Sequence, residues 1–299
     1  MKFIKVGILG TNGLPARYGG FETLAENLTK NLSNEVDFIV YCSNIYKKDE
    51  RLKVYNNSKL KYIPLNANGF QSFFYDTFTM FHAWFNVDVI IILGPASGVI
   101  FPFNFFFRKK IIVNHGGLNE WKREKLNFFQ KIFVFFNHYI AAKFSRHNIA
   151  DNKVLANNIK KLFNVRVYKI AYGGDHIKIE KNYYQLHKKY SFLKLDNYDL
   201  SISRAQKDNK LHVILDSYKK LGGRNIVSIS NWEISNYGVN LKSKYKGKFE
   251  NIFIIDAIYD KYELDVIRSN CGLYIHSHSM CGTAPSLVEA MNYKIPIIC

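Results

Sequence analysis

Near its start the chain reads Gly10-Thr-Asn-Gly-Leu-Pro-Ala-Arg-Tyr-Gly-Gly-Phe-Glu22. The apolar run before it, Phe3–Leu9, predicts a buried strand, and the amphipathic run after it, Glu22–Leu32, predicts a helix. Glycines let the backbone of such a loop approach a ligand closely, and free amide groups at a helix start attract an anion. The stretch therefore predicts an α/β fold with a ligand near Arg17 and Glu22, unless the loop is only a glycine-rich turn. Its spacing is not the G-x-G-x-x-G of dinucleotide-binding proteins.

The rest of the chain alternates between short apolar runs and helix-length segments, a pattern typical of parallel sheets with helices on both faces. In the first half, the predicted strands are Phe3–Leu9, Val36–Cys42, Leu60–Pro64, Val87–Leu93, Lys110–Asn114, His147–Ala150 and Val165–Ala171, and the predicted helices are Glu22–Leu32, Ser72–Phe85 and Glu120–Phe144. In the second half, the predicted strands are Asp199–Ser203, Asn225–Ser230, Ile252–Asp256, Gly272–His276 and Ile295–Ile298, and the predicted helices are Asn209–Leu221, Tyr259–Ser269 and Pro285–Asn292.

A polar stretch rich in Lys and Tyr, from His176 to Leu195, separates the two series. Since a chain of 299 residues is long enough for about two domains, we predict two Rossmann-like domains, at residues 1–178 and 179–299. The last predicted strand reaches almost to Cys299, whereas a doubly wound domain normally continues with further strands and helices. We therefore expect the second domain to be truncated.

The net charge indicates which kind of molecule this protein could bind. The formal net charge is +18, which favours an anionic partner, although so much Lys together with Asn, Ile, Tyr and Phe is equally typical of an AT-rich genome.

The four cysteines are scattered, with neither disulfide nor zinc spacing, as in proteins of a reducing cytosol. The sequence shows no secretory signal and no run of about 20 apolar residues, so we expect a cytoplasmic protein. We expect no nucleic-acid partner, because RNA-stacking motifs are absent.

A histidine follows a predicted strand in the stretch Ile111-Ile-Val-Asn-His-Gly-Gly117. At the carboxyl end of a strand, His115 would face the crevice of an α/β sheet, where a neutral imidazole can exchange hydrogen bonds with a ligand hydroxyl. It is the candidate catalytic residue, with capping of a loop or helix as the alternative. The helix predicted after it interleaves basic and aromatic side chains. That pattern suits contact with anionic lipid headgroups, unless its aromatic side chains belong to the core.

Arg204 lies at the end of a predicted strand in Leu200-Ser-Ile-Ser-Arg-Ala-Gln-Lys-Asp-Asn209. A guanidinium in that position can grip a diphosphate with two parallel hydrogen bonds, and a surface ion pair is the alternative.

A last motif reads His276-Ser-His-Ser-Met-Cys-Gly-Thr-Ala-Pro-Ser-Leu-Val-Glu-Ala-Met291. Its loop and helix start, at Gly282, Thr283, Ala284, Pro285 and Ser286, can bind phosphate oxygens through free backbone amide groups. Pro285 has no N–H of its own and suits the first position of the helix. Glu289 lies one turn further and can accept both hydroxyls of a ribose, unless it is a solvated residue of an ordinary capped helix. His276 and His278 lack carboxylate partners, so we expect no metal site.

The stretch Gly13–Leu28 resembles the opening of the rhamnosyltransferase-like branch of glycosyltransferase family 4, found in capsule and O-antigen gene clusters. Ile170-Ala-Tyr-Gly-Gly-Asp175 resembles the family's Ile-Pro-Tyr-Gly-x-Asp, and Gly282–Leu287 resembles the branch's Gly-Gly-Thr-Asn-Pro-Ser-Leu. Cys281 stands where the wider family has the first Glu of its Glu-x7-Glu motif, and Glu289 matches the second. The resemblance covers almost the whole chain.

This resemblance implies a GT-B fold, in which two Rossmann-like domains face a cleft, the first on the acceptor side and the second binding the nucleotide sugar. It implies transfer of a sugar, such as rhamnose from a dTDP donor, to a bacterial surface polysaccharide or a lipid-linked acceptor. It further implies retention of configuration and no cofactor. Gly19 and Gly20 would lie by the donor diphosphate and the acceptor, and His115 near the donor sugar. Peripheral contact with the inner face of the plasma membrane would suit such an acceptor.

Two alternatives stay open. Sugar-nucleotide epimerases share the GT-B frame, but they need an acid/base carboxylate pair near the donor sugar, for which the sequence offers no clear candidates. An incomplete second domain would instead leave an inactive or regulatory remnant of a glycosyltransferase.

Overall fold

The computed structural model describes residues 3–17, 19–117, 120–123, 126–195, 197–279 and 282–299. Contacts between Cα atoms group the chain into two compact units, Met1–Ala171 and Tyr172–Cys299. The predicted boundary followed residue 178. In the structure, the segment before that residue packs within the second unit, because Gly174 lies against Asn292 and the His176 side chain bonds Glu289.

The first unit contains an eight-stranded sheet within the described residues. Its strands are β1 (Ile4–Leu9), β2 (Val36–Cys42), β3 (Val54–Tyr55), β4 (Ser58–Tyr62), β5 (Val89–Leu93), β6 (Lys110–His115), β7 (His147–Ala150) and β8 (Val167–Lys169). The order is β3-β4-β2-β1-β5-β6-β7-β8, and neighbouring strands are parallel except for the antiparallel pair β3 and β4. The order changes direction between β1 and β5, so the loops after these strands lie at a topological switch point.

The helices of the first unit are α1 (Gly20–Leu32), α2 (Ser72–Asn86), α3 (Asn104–Phe107), α4 (Phe128–Phe144) and α5 (Lys153–Phe163). Short 3-10 turns occupy Lys48–Glu50, Gly69–Gln71, Gly98–Phe103 and Glu120–Lys122. The single helix predicted over Glu120–Phe144 is thus a turn followed by α4. The reason is local: Asn127 and Gln130 form a reciprocal capping box that starts a new helix at Phe128.

The second unit contains a five-stranded sheet within the described residues, and all its neighbouring strands are parallel. Its strands are β9 (Asp199–Ile202), β10 (Ile226–Ser230), β11 (Ile252–Asp256), β12 (Leu273–Ile275) and β13 (Ile297–Ile298). The order β11-β10-β9-β12-β13 is the Rossmann order, and its switch point lies between β9 and β12.

The helices of the second unit are α6 (Leu211–Leu221), α7 (Asn236–Tyr245), α8 (Lys261–Asn270) and α9 (Pro285–Asn292), with 3-10 turns at Ser191–Lys194, Lys207–Asn209 and Trp232–Ile234. Helix α7 was not predicted from the sequence, because its apolar face is narrow. Local capping starts this helix, because the Ser235 hydroxyl accepts a hydrogen bond from the Gly238 amide at 3.1 Å.

Hydrophobic side chains pack on both faces of each sheet. In β10, Ile226 belongs to a cluster with α6 and α7, whereas Val227 belongs to a cluster with α8 and α9. In β1, Ile8 packs with Ala25 of α1, and Leu9 packs with Trp84 of α2. Adjacent residues of a strand point to opposite faces, so helices cover both sides, and the predicted α/β class is confirmed.

Candidate functional site

The loops that follow β9 and β12 are joined at the switch point of the second sheet. The Ser277 hydroxyl donates to the Asn209 carbonyl at 2.5 Å, and the Ser279 amide donates to the Asp208 carbonyl at 3.0 Å. Asn209 is itself buried, and its side-chain amide donates to the Arg204 carbonyl at 2.7 Å. Asn209 therefore fixes the backbone that carries Arg204.

Two histidines of the predicted motif lie next to Arg204. The rings of His276 and His278 stack, with centroids 4.1 Å apart and an angle of 15° between the ring planes. Burial, together with the charges of His276 and Arg204, lowers the pKa of His278 to about 3. The His278 ring is therefore neutral at neutral pH and adds no positive charge beside the Arg204 guanidinium.

The first turn of α9 reaches the same edge of the sheet. The Tyr274 hydroxyl donates to the Ile202 carbonyl at the end of β9, and it also bonds the side chain of Ser286. Ala284 is the N-cap and offers no side-chain cap, and Pro285 occupies the first position of the helix. The half-buried segment Gly282–Ser286 thus places a helix start, with its positive dipole end, beside the loop that carries Arg204.

Glu289 lies in the second turn of α9 and is buried between two basic side chains. Its Oε2 is 2.5 Å from Nη2 of Arg268, and its Oε1 is 3.0 Å from Nε2 of His176. Burial alone would raise the pKa of Glu289, but the bond from His176 and the charge of Arg268 bring it below its ordinary value. The same bond raises the pKa of His176. Glu289 is therefore a fixed carboxylate whose oxygens keep lone pairs for further donors.

Arg268 and His176 were not among the site residues predicted from the sequence. Arg268 belongs to the buried stretch of α8 that includes Val266 and Ile267, and no motif marks it. The only available signal was an arginine within the apolar face of a predicted helix, because a buried charge in that place needs a partner.

In the first unit, the glycine-rich loop is held from inside by Glu22. Its Oε1 accepts hydrogen bonds from the Thr11 hydroxyl at 3.0 Å, the Asn12 amide at 2.7 Å and the Asn12 side chain at 3.2 Å. The Ser43 hydroxyl also donates to Asn12, and the Tyr75 hydroxyl donates to the Thr11 carbonyl. Glu22 is nearly inaccessible, so the structure gives it a role in shaping this loop.

The later part of the glycine-rich loop is more exposed to solvent. Gly19 and Gly20 are half-buried at the start of α1. Arg17 pairs with Glu50, and its guanidinium lies 5.6 Å from the ring centroid of Tyr46. The structure therefore brings these predicted residues to one end of the first sheet, beyond β1.

His115, at the end of β6, is completely buried. Its Nε2 lies 2.9 Å from Oδ1 of Asn148, and Nδ1 has no hydrogen-bond partner among the described residues. Its ring centroid is 5.9 Å from that of His138, whose Nε2 lies 3.3 Å from Oε2 of Glu120. Burial, and then the charge of His138, lower the pKa of His115 to about 4. The imidazole is neutral, as predicted for exchange of hydrogen bonds, but it touches a ligand only if the residues that cover it move.

Within the described part of the chain, no three His, Cys, Asp or Glu side chains gather as metal ligands. Cys281, at the position of the family's first Glu, lies outside the described residues. The structure thus groups the predicted site residues by unit. Arg204, Gly282–Ser286 and Glu289 belong to the second, and the other predicted residues belong to the first.

Comparison with known proteins identifies both a family and a fold. Residues 3–175 match the family described as a domain of unknown function, DUF1972. No curated protein matches the chain.

Solved structures match almost the whole chain. Sucrose-phosphate synthase from Thermosynechococcus elongatus is 12% identical, over 98% of this chain and 80% of that one, with a TM-score of 0.77. Anabaena HepE, in complex with UDP-glucose, is 13% identical over 98% and 79%, with a TM-score of 0.69. The catalytic domain of starch synthase IV from Arabidopsis thaliana, bound to ADP and acarbose, is 13% identical over 99% and 82%, with a TM-score of 0.64. At such identities the similarity shows the fold, and the predicted GT-B fold is confirmed.

Proposed function

The chain belongs to the family described as a domain of unknown function, DUF1972, and we propose that this member transfers a sugar from a nucleoside-diphosphate donor to a glycan or lipid-linked acceptor. The observation that carries the proposal is the switch point of the second sheet. There, the Arg204 loop and the first turn of α9 meet at the Tyr274 hydroxyl, and Glu289 lies one turn further along the same helix. Open α/β sheets bind their ligands at such points.

Each of these groups can bind a different part of a nucleoside diphosphate. Arg204 and the free amide groups of the segment Gly282–Ser286, in which Pro285 has none, would hold the diphosphate oxygens. Glu289 would accept hydrogen bonds from the two ribose hydroxyls, in an orientation that Arg268 and His176 fix. Two structural neighbours support this class of ligand, since HepE holds UDP-glucose and starch synthase IV holds ADP.

The reaction would break the bond between the anomeric carbon and the diphosphate oxygen, and form one between that carbon and the acceptor oxygen. The acceptor proton would leave with the diphosphate or with water. Negative charge grows on the leaving diphosphate, so Arg204 and the start of α9 would stabilise the transition state more than the ground state. Catalysis would then rest mainly on positioning and on stabilisation of the leaving group.

The first unit would orient the donor sugar and the acceptor. Gly19 and Gly20 lie at the start of α1, where backbone amide groups favour anionic or hydroxyl ligands, and Arg17 lies in the loop just before it. His115 remains the candidate catalytic residue, because a neutral imidazole can both donate and accept a hydrogen bond. Glu22 would act indirectly, since its carboxylate already holds the loop.

The finer parts of the proposal come from the resemblance to the rhamnosyltransferase-like branch. They are a deoxyhexose such as rhamnose, a dTDP donor, retention of configuration, and a bacterial capsule or O-antigen as the product. Peripheral contact with the inner face of the plasma membrane is included, because it would bring a lipid-linked acceptor to the enzyme.

A sugar-nucleotide epimerase is the second candidate function. A putative UDP-N-acetylglucosamine 2-epimerase from Listeria monocytogenes has the same fold, with a TM-score of 0.56 and 12% identity. An epimerase changes its donor without an acceptor, whereas a transferase consumes the donor when an acceptor is added.

Mass spectrometry distinguishes the two functions. The full chain would be incubated with UDP- and dTDP-sugars, with and without a lipid-linked oligosaccharide. We expect acceptor-dependent release of the nucleoside diphosphate, loss of this activity in Arg204→Gln, and its retention in Arg166→Gln. Arg166 is a matched control, because it is an exposed arginine at the edge of the first sheet. An epimerised sugar formed without acceptor would favour the second function.

A further inference from the structure

Exposed phenylalanine rings cover one side of α2 in the first unit. Phe74, Phe78, Phe81 and Phe85 are all exposed, and their spacing puts them on a single stripe of the helix. The opposite stripe, which includes Met80 and Trp84, is buried in the core. An amphipathic helix of a globular protein normally presents polar side chains to water, so this arrangement needs an explanation.

The neighbouring helices extend the stripe. On α3, Phe105 and Phe106 are 75% and 77% exposed, and on α4 Phe129 is 79% exposed. Ring contacts connect the helices, since Phe73 of α2 lies 5.4 Å from Phe133 of α4 and Phe85 of α2 lies 5.1 Å from Phe107 of α3. We call the exposed phenylalanines of α2, α3 and α4 the phenylalanine surface. Contiguous apolar areas of this kind mark interaction sites.

The charges around the phenylalanine surface are basic. Asp76 is the only acidic residue in the sequences of α2, α3 and α4, and its side chain is buried, so it is not part of the exposed surface. By contrast, α4 carries Lys131 and Lys143, and Arg108, Lys109 and Lys110 follow α3 directly. These three helices therefore combine exposed aromatic rings with basic side chains and expose no acidic side chain.

We propose that the phenylalanine surface docks this protein on an anionic lipid bilayer, with the rings among the headgroups and upper acyl chains. Aromatic side chains and Lys or Arg on one face are the features that hold a protein in a membrane interface. A second copy of the chain fits less well, because a symmetric contact would bring the same basic groups together. The contact is interfacial, since no described helix is long and apolar enough to span a membrane.

Vesicle flotation tests the proposal with the full chain. We expect binding to phosphatidylcholine vesicles that contain about 30% phosphatidylglycerol, little binding to pure phosphatidylcholine, and weakening at roughly 0.5 M salt. The variant Phe105→Ser/Phe106→Ser/Phe129→Ser should bind about tenfold more weakly or worse, since three rings would no longer enter the interface. The matched control is Val154→Ser/Tyr184→Ser/Leu221→Ser, which removes exposed apolar side chains elsewhere and should bind normally.

A second pair of variants tests the charge. Lys131→Gln/Lys143→Gln should weaken binding to the anionic vesicles by about thirtyfold, because each of the two lysines contributes about 1 kcal/mol near an anionic surface. Its control is Lys219→Gln/Lys220→Gln on α6. Like Lys143 beside Tyr139, Lys219 lies near an aromatic ring, that of Phe249. Thermal melting verifies that each variant is folded.

Three outcomes would overturn the proposal. The first is equal binding to neutral and anionic vesicles, and the second is equal loss in the phenylalanine variant and its control. The third is a dimer without vesicles, by light scattering, that the phenylalanine variant converts to monomer while vesicle binding is unchanged. The proposal assigns a surface to the peripheral membrane contact of the proposed function and to that extent rests on it. None of these readouts depends on sugar transfer, so docking and sugar transfer can each fail without the other.

Discussion

Nη2 of Arg268 lies 2.5 Å from Oε2 of Glu289, and both side chains are buried in the second unit. A buried ion pair adds little net stability compared with apolar residues of the same size, because both charges lose their hydration. The contribution of this ion pair is to the geometry of the site. Arg268 on α8 fixes the direction of the carboxylate on α9, and that carboxylate is the group proposed to hold the ribose.

Arg268→Met should destabilise the second unit, because it leaves the Glu289 carboxylate buried without its main partner. Removal of one member of a buried pair typically costs about 3 kcal/mol or more, which urea unfolding can measure. The double variant Arg268→Met/Glu289→Leu should recover most of the loss. If the double variant were as unstable as the single one, the buried charge would not be the cause.

The pair between His176 and Glu289 should make stability depend on pH. The bond raises the pKa of His176 from 6.5, so its contribution is complete below pH 6.5 and is lost as the pH rises through the raised value. The pKa of Glu289 is lowered from 4.5, so its contribution is complete above pH 4.5 and is lost as the pH falls through the lowered value. The melting temperature of the wild type should therefore exceed that of Glu289→Gln most at about pH 5.5. A difference that stays constant up to pH 9 would contradict this pairing.

His115 should make the first unit sensitive to acid. Its pKa falls from 6.5 to about 4, mainly through burial, so its contribution to stability is present above pH 6.5 and is lost progressively as the pH falls toward 4. At pH 5 the loss is about 2 kcal/mol. His115→Gln should flatten the dependence of unfolding free energy on pH in this range, whereas His187→Gln, outside the cluster, should not. An unchanged slope in His115→Gln would mean that the imidazole is hydrated and titrates normally.

Glu22 should act through loop structure, and two substitutions separate this role from ligand contact. Glu22→Ala removes the acceptor of three hydrogen bonds from Thr11 and Asn12 and should cost about 3 kcal/mol. Glu22→Gln keeps an oxygen in the same place and should cost about 1 kcal/mol. Donor affinity should follow stability in both. A Gln variant of normal stability that has lost its donor affinity would show direct contact with the ligand.

The alternation of apolar runs and helices was enough to predict the α/β class and most strands. Val36–Cys42, His147–Ala150 and Ile252–Asp256 have the predicted bounds. The first and the last are mostly apolar runs between polar segments, which leave few other choices, whereas His147–Ala150 begins with two polar residues. The first residues of the helices were harder to predict, since they depend on single capping residues. The reciprocal bonds of Asn127 and Gln130 divide the predicted helix, and Lys210, with a φ of 50°, delays the start of α6 to Leu211.

The site residues could be named from motifs, but their partners could not. Arg268 and His176 reach Glu289 from segments far away in the sequence, and their spacing follows no local rule. The burial of His115 also follows from tertiary packing around Asn148 and His138, which the residues beside His115 do not reveal. Local sequence fixes strand ends, whereas the surroundings of a side chain depend on which elements become neighbours.

The most direct test of the account is calorimetric titration of the full chain with UDP and dTDP, and with their sugars. The account predicts saturable binding, weakened about tenfold or more by Arg204→Gln and by Glu289→Gln and unchanged in Arg166→Gln, because charged hydrogen bonds of this kind contribute about 1.5–3 kcal/mol. No binding of any of these nucleotides, or equal binding by the wild type and both site variants, would contradict a nucleoside-diphosphate site at the switch point between β9 and β12.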